Sequence, residues 1–192
     1  MTSRTLVLCI LDGVGWGRRD DGDAVFLADT PTLDRLMDEH PWCLLRAHGT
    51  AVGMPSDADM GNSEVGHNAM GAGRVFDQGA KLVDSAIESE RIWQSEAWKT
   101  AMKRCRSGGS LHLLGLLSDG RVHSHVDHLN ALVDRAVEDG AHSIRVHILT
   151  DGRDVHPKSA LQWVIPLEER LRSCGVDGRI ATGGGRMHMT MD

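Results

Sequence analysis

The segment Leu111-His-Leu-Leu-Gly-Leu-Leu117 determines which fold class this chain can adopt, because it is a mainly apolar run of strand length. A stripe of apolar residues with helical spacing follows over 126–137, and an alternating apolar segment comes next over 144–148. A helix is predicted over 159–172 and a last strand over 179–181. Strands that alternate with helices in this way predict an α/β fold with a parallel sheet and right-handed crossovers.

The first part of the chain predicts a strand and a helix of its own. Leu6-Val-Leu-Cys-Ile-Leu11 has no polar alternation, which favours a central strand of a parallel sheet that is covered on both faces. Thr30-Pro31 predicts a helix start, and Pro41 predicts its end. A second short strand is predicted over 44–48.

The character of the sequence changes after Asp77. A loop rich in Gly, Ser, Asp and Asn precedes this point, and helices are predicted beyond it over 81–88 and 96–106. We place a domain boundary here, which divides the chain into residues 1–77 and residues 78–192.

Composition and charge exclude several classes of protein. The chain has 192 residues, of which 41% are hydrophobic and 25% charged, as in soluble globular proteins. The net charge of -6 and the scattered Lys and Arg argue against a nucleic-acid surface. The apolar run over 6–11 is too short for a signal peptide or a membrane span, so we expect a cytoplasmic protein with no membrane partner.

Polar clusters follow four predicted strands at their carboxyl ends, where open α/β sheets bind their ligands. These clusters are Asp12-Gly13, Asp119 to His123, Asp151 to Asp154, and Gly183 to Arg186. The sequence therefore predicts that the functional site lies at this edge.

Ser63 lies in Gly61-Asn-Ser-Glu-Val-Gly-His67 and is predicted to begin a helix. It can be a helix cap, or it can be a nucleophile, because a helix N-terminus favours phosphate and a bound metal lowers the pKa of a hydroxyl group. Asp12 can likewise cap a turn or bind a divalent metal.

The segment His123-Ser-His-Val-Asp-His128 has the spacing of the zinc ligands in metallo-β-lactamase-type hydrolases. The other interpretation, which we favour, makes His125 and His128 capping or solvated polar groups.

Charged residues at the later strand ends have two interpretations. Arg153 and Arg186 can bind a carboxylate or phosphate with their planar guanidinium groups, and Asp154 can hold substrate hydroxyls. They can also form a local ion pair or lie exposed in loops. Together with His123 they would make a pocket for a small phosphorylated or carboxylated sugar acid.

Five motifs, in order along the chain, resemble the cofactor-independent phosphoglycerate mutases. They are Leu11 to Gly17, Met60 to Asn68, Leu114 to His125, His147 to Asp154 and Gly183 to Arg186. The resemblance implies an enzyme of the alkaline-phosphatase superfamily, in which a phosphatase-like parallel-sheet domain is interrupted by an inserted α/β phosphotransferase domain. Residues 1–77 would begin the first domain, and residues 78–192 would begin the second.

The resemblance also implies an activity and a set of site residues. Family members interconvert 2-phosphoglycerate and 3-phosphoglycerate in glycolysis and gluconeogenesis without bisphosphoglycerate, as monomers that use two divalent metal ions, usually manganese. By motif, Ser63 would carry the phosphoryl group, and Asp12 and Ser63 would bind one metal. The substrate-binding residues would be His123, Arg153, Asp154 and Arg186.

The chain departs from the family pattern in two respects. Many members have glycine where this chain has Arg121, and members continue well beyond the position of Thr190 to Asp192. We therefore expect the polypeptide alone to be inactive or nearly so. Two alternatives remain, namely another phosphotransferase of the same superfamily and a module that binds phosphoglycerate without converting it.

Overall fold

The computed structural model describes residues 5–189, so the chain end at Thr190 to Asp192 lies outside the described residues. The chain forms two compact units, one up to Ala47 and one from His48 onwards. The predicted α/β class is confirmed by a three-stranded parallel sheet in the second unit. The domain boundary predicted near residue 77 refers to the two domains that the family resemblance implies. This division of the chain stays a prediction.

The first unit contains two helices, α1 (Ala24–Leu27) and α2 (Pro31–Glu39). Asp23 caps α1, since its carboxylate accepts a 3.1 Å hydrogen bond from the backbone N–H of Phe26. Helix α2 begins with proline at its first position. The N–H group that proline lacks would make no hydrogen bond within the helix at this position. The prediction of this helix is confirmed.

The two strands predicted over 6–11 and 44–48 are wrong. The segment from Leu6 to Leu11 is irregular, and the side chains of Leu6, Val7 and Leu8 are 92%, 80% and 71% exposed. The second predicted strand, over 44–48, is also irregular. A strand requires a neighbour for its backbone hydrogen bonds, and the strands of the described residues all lie in the second unit and pair with one another.

The second unit begins with helical segments and continues with alternating strands and helices. Short 3₁₀ turns cover Gly49–Val52 and Arg91–Gln94. The regular elements are α3 (Ser63–Ala72), α4 (Gly79–Glu88), α5 (Glu96–Arg106), β1 (Leu111–Leu117), α6 (Val126–Glu138), β2 (Ser143–Thr150), α7 (Leu161–Ser173), β3 (Asp177–Gly185) and α8 (Arg186–Met189).

The sheet has the order β1-β2-β3, and both strand pairs are parallel. In β2, Ile144, Val146 and Ile148 are buried against the helices, as their alternation predicts. Burial of each aliphatic side chain contributes about 1.5–3 kcal/mol to folding. Met102, Val133, Ala136 and Leu171 belong to the same core, and each is at most 1% exposed. Strand β3 is longer than predicted and includes all three glycines over 183–185.

Between residues 5 and 189, every helix is too short or too polar to cross a membrane.

Candidate active site

The carboxyl ends of the three strands carry polar side chains that contact one another. Ser118 follows β1, and its hydroxyl group donates a 2.6 Å hydrogen bond to the carboxylate of Asp151, which follows β2. Arg186 follows β3, and its Nη1 donates to the same carboxylate at 3.1 Å. Arg186 and Asp151 belong to two of the four predicted clusters, and His123 of a third lies 4.0 Å from Asp154, so three of the clusters meet at one edge of the sheet. The fourth cluster contains Asp12, which belongs to the other unit.

Asp151 organises this edge, although the sequence motifs assigned it no role of its own. Its Oδ1 accepts hydrogen bonds from the backbone N–H groups of residues 152, 153 and 154 at 2.7, 3.0 and 3.2 Å. Burial opposes its ionisation, but the hydrogen bonds from Ser118 and from these backbone groups outweigh burial and lower the pKa of Asp151 well below its ordinary value. The carboxylate therefore carries its negative charge at neutral pH. In the sequence, Asp151 could have been recognised as the first acidic residue after a predicted strand, followed by glycine.

Arg186 is buried, with only 3% of its surface exposed, so its interpretation as an exposed loop residue is wrong. Its Nη1 also donates a 2.6 Å hydrogen bond to Oδ2 of Asp154. Burial disfavours the charged guanidinium group, but the hydrogen bonds to Asp154 and Asp151 outweigh burial and raise the pKa of Arg186. Two carboxylates and one guanidinium group thus form a charged cluster at the end of the sheet.

Small residues allow the loops to approach this cluster. A Cβ atom at Gly120 would lie 3.0 Å from Cβ of Asp154, so glycine lets the loop after β1 pass close to the loop after β2. A Cβ atom at Gly184 would lie 2.9 Å from Cγ of Met189. Glycine there lets α8 pack against the end of β3, and this packing positions Arg186.

The other predicted substrate-binding residues lie around Asp154. Nε2 of His123 is 4.0 Å from Oδ2 of Asp154, and the histidine side chain is 41% exposed. Arg153 lies on the turn that Asp151 holds, and its side chain is exposed. The structure therefore brings His123, Asp154 and Arg186 together, and it places Arg153 beside them.

Ser63 is the first residue of α3, as predicted, but it is not the helix cap. The cap is Asn62, whose side-chain oxygen accepts a 2.9 Å hydrogen bond from the backbone N–H of Val65. The hydroxyl group of Ser63 is exposed in the first turn and lies 3.2 Å from Nδ1 of His67. The interpretation of Ser63 as a cap is therefore wrong.

The histidines of the H-x-H-x-D-H segment have structural partners. Nδ1 of His125 caps α6 by accepting a 3.2 Å hydrogen bond from the backbone N–H of Asp127. Nε2 of His128 lies 2.5 Å from Oδ1 of Asp84. Within residues 5–189, no group of three or more His, Cys, Asp or Glu side chains is arranged to hold a metal ion. The capping interpretation of His125 is confirmed. The same interpretation is wrong for His128, because its mostly buried side chain pairs with Asp84.

Asp12 lies in a turn in which the backbone N–H of Val14 donates to the carbonyl oxygen of Leu11 at 3.1 Å. Gly13 has φ +83°, a conformation that glycine adopts without steric strain. The carboxylate of Asp12 and the hydroxyl group of Ser63 are both oxygen donors. Oxygen donors of this kind suit a hard divalent cation such as manganese or magnesium.

Known proteins resemble this chain along nearly its whole length. Residues 83–192 match the family model described as BPG-independent PGAM N-terminus. A probable 2,3-bisphosphoglycerate-independent phosphoglycerate mutase of Leptospira interrogans is 53% identical over 99% of this chain and 36% of its own length. A 2,3-bisphosphoglycerate-independent phosphoglycerate mutase of Trypanosoma brucei is 54% identical over 98% of this chain and 35% of its own length.

A solved structure shows the same fold. The crystal structure of Leishmania mexicana phosphoglycerate mutase at low cobalt concentration superposes with a TM-score of 0.86 at 50% identity, over 95% of this chain and 34% of that protein. The chain spans about a third of the length of the relatives it matches. The ordered motifs, the family model and the shared fold agree, and the chain belongs to the 2,3-bisphosphoglycerate-independent phosphoglycerate mutase family.

Proposed function

We propose that this chain serves the interconversion of 3-phosphoglycerate and 2-phosphoglycerate through a phosphoserine at Ser63, without bisphosphoglycerate. The observation that carries the proposal is the position of Ser63, which is exposed at the first residue of α3 while Asn62 serves as the cap. A hydroxyl group at a helix N-terminus lies where the helix dipole and backbone N–H groups favour a phosphate.

The proposed reaction consists of two phosphoryl transfers. In the first, a bond forms between Oγ of Ser63 and phosphorus while the bond from phosphorus to the C3 oxygen of the substrate breaks. The hydroxyl proton of Ser63 is balanced by the proton that the C3 oxygen gains. The glycerate then turns, its C2 oxygen attacks the phosphoserine, and the proton released from the C2 hydroxyl balances the one that Ser63 regains.

The cluster at the end of the sheet would bind the glycerate. Arg153 and Arg186 would bind the carboxylate and the phosphate, and Asp154 can accept a hydrogen bond from a glycerate hydroxyl. In the structure the guanidinium group of Arg186 pairs with Asp151 and Asp154, so binding through Arg186 requires it to exchange a carboxylate partner for the ligand. His123 is half-exposed beside Asp154 and can donate a hydrogen bond to the same ligand. Asp151 would act on binding by holding the loop that carries Arg153 and Asp154.

Two divalent metal ions, with manganese as the usual family metal, complete the proposal. Asp12 and Ser63 would bind one ion, which when bound lowers the pKa of the serine hydroxyl group and offsets phosphate charge. Two protein ligands are fewer than such ions normally take, so we expect the chain alone to turn over little or no substrate. We propose that the protein works in the cytoplasm as a monomer.

The test is a hybrid protein, in which residues 1–192 of this chain replace the matching third of the Leptospira relative. We expect the hybrid to convert 3-phosphoglycerate with manganese and without bisphosphoglycerate, and Ser63→Ala in the hybrid to lower turnover at least about 1,000-fold. An active Ser63→Ala hybrid would contradict the proposal. Turnover of a phosphopentose in place of phosphoglycerate would favour another phosphotransferase of the superfamily.

The chain by itself tests the two remaining points. Substantial mutase turnover by the purified chain would contradict the expected inactivity. Calorimetric titration with 3-phosphoglycerate tests the alternative that the chain binds phosphoglycerate without converting it. If no heat of binding is measured at millimolar ligand, this alternative is wrong.

A further inference from the structure

His67 makes two contacts with Ser63 through the same nitrogen atom. It lies one helical turn beyond Ser63, where residues four apart share a helix face. Its Nδ1 is 2.7 Å from the backbone carbonyl oxygen of Ser63 and 3.2 Å from Oγ of the same residue. The second contact joins the imidazole ring to the oxygen atom that would react with phosphorus.

The first contact determines where the imidazole proton lies. A carbonyl oxygen can only accept a hydrogen bond, so Nδ1 of His67 must carry the hydrogen atom. A protonated nitrogen cannot accept the hydroxyl proton of Ser63. The contact with Oγ is therefore a second, longer branch of the same N–H donor, and it lies at the upper end of the normal N–H···O range.

We propose that His67 is a catalytic residue that donates a hydrogen bond from Nδ1 to Oγ of Ser63, rather than a base that removes its proton. The proposal rests on the proposed phosphoryl transfer through Ser63. Hydrogen bonds strengthen when the acceptor becomes anionic, so this donor stabilises Oγ more in the transition states than in the resting hydroxyl group.

The donor acts in both directions of the transfer. When the phosphoserine is consumed, the bond from phosphorus to Oγ breaks, the electron pair stays on Oγ, and the new bond to the glycerate oxygen forms. The glycerate hydroxyl proton balances the charge on Oγ. The proton on Nδ1 of His67 remains on nitrogen throughout, because the carbonyl oxygen of Ser63 also holds it.

The first test does not depend on activity. Long-range ¹H–¹⁵N NMR of the purified chain at pH 8, where an ordinary imidazole is neutral, reports which ring nitrogen carries the proton. We assign the His67 signal by its loss in His67→Asn, and we expect it to show a protonated Nδ1 and an unprotonated Nε2. A signal with the proton on Nε2 would overturn the inference.

The second test uses the hybrid protein and compares two substitutions. His67→Asn keeps an N–H donor near the position of Nδ1, whereas His67→Leu keeps bulk and removes the donor. We expect His67→Leu to lower kcat roughly 10- to 100-fold with KM little changed, and His67→Asn to restore most of the loss. Equal losses in both variants, or a change confined to KM, would overturn the inference.

Two controls separate the possible failures. Thermal unfolding of both variants, followed by circular dichroism, shows whether a loss of turnover reflects loss of the fold. A hybrid that stays active as Ser63→Ala would refute the proposed function, whereas an inactive Ser63→Ala hybrid with a fully active His67→Leu variant would refute only the role of His67.

Discussion

The hydroxyl group of Ser118 donates a 2.6 Å hydrogen bond to the carboxylate of Asp151, and this bond joins the ends of β1 and β2. The side chain of Asp151 is only 2% exposed, so water cannot replace a lost donor. We expect Ser118→Ala to lower the free energy of unfolding by about 1–3 kcal/mol, as measured by urea denaturation. Ser110→Ala is the matched control, because the 2.9 Å bond from Ser110 to Ser143 is exposed; we expect a change within about 0.5 kcal/mol.

The pH dependence of stability should reflect the ionised state of Asp151. Its pKa is lowered in the folded chain, so its stabilising effect is fully present above the unfolded-state pKa of about 4 and is lost as pH falls toward the folded-state value. We expect the free energy of unfolding to decrease as the pH falls from about 5 to about 2. Asp151→Asn should be less stable at pH 7 and should lose less stability over the same interval. Equal pH slopes for the two proteins would contradict this prediction.

The cap of α3 can be distinguished from its first residue by two alanine substitutions. Asn62→Ala removes the oxygen atom that accepts the backbone N–H of Val65, and it should lower stability by about 1 kcal/mol. Ser63→Ala leaves the cap in place and should cost less than half as much. Chemical denaturation of the two variants measures both effects, and a larger loss for Ser63→Ala would mean that the serine is the cap.

Arg121 combines an ion pair with an unfavourable backbone conformation. Its φ is +55°, and its Nη1 lies 3.0 Å from Oδ2 of Asp84. Arg121→Met and Arg121→Gly both remove the ion pair, but only glycine adopts this conformation without steric strain. We expect the glycine variant to be more stable than the methionine variant by about 0.5–1 kcal/mol in thermal unfolding. The opposite order would show that the backbone strain is small.

The approach of the two loops at Gly120 can be tested by adding one methyl group. Gly120→Ala should destabilise the chain by about 1–3 kcal/mol, because its Cβ atom would lie 3.0 Å from Cβ of Asp154. Gly115→Ala is the control within β1, since its Cβ atom would meet nothing within 4 Å. Urea denaturation should show a neutral or stabilising effect for the control. In the hybrid protein, Gly120→Ala should also raise KM for 3-phosphoglycerate.

Local patterns in the sequence predicted most of the second unit. The apolar run over 111–117 and the alternation over 144–148 both lie in strands. The alternation in β2 matches the burial of one sheet face, whereas Leu114 in β1 is exposed. The start of α3 at Ser63 followed from its glycine-rich loop. The burial of Arg186 could not be predicted from local sequence patterns, because its partner carboxylates lie in the loop after β2.

Two other features escaped prediction for different reasons. Asp151 holds three backbone N–H groups because the following turn folds back over its carboxylate. The Asp-Gly pair after a strand indicates a turn, but it does not show how many N–H groups the carboxylate accepts. The strand predicted over 6–11 was wrong, because an apolar run indicates only that a segment can be buried. Strand formation also requires a paired neighbour, which the pattern cannot supply.

The exposed leucines near the start of the chain determine how this polypeptide behaves in different solvents. Leu6 and Leu45 are 92% and 85% exposed, so both present apolar surface directly to water. Sulfate and phosphate salts strengthen apolar association, and cooling weakens it. Concentrated stocks of the chain should therefore remain dispersed in the cold and in dilute chloride buffer, whereas warm ammonium sulfate should precipitate it early.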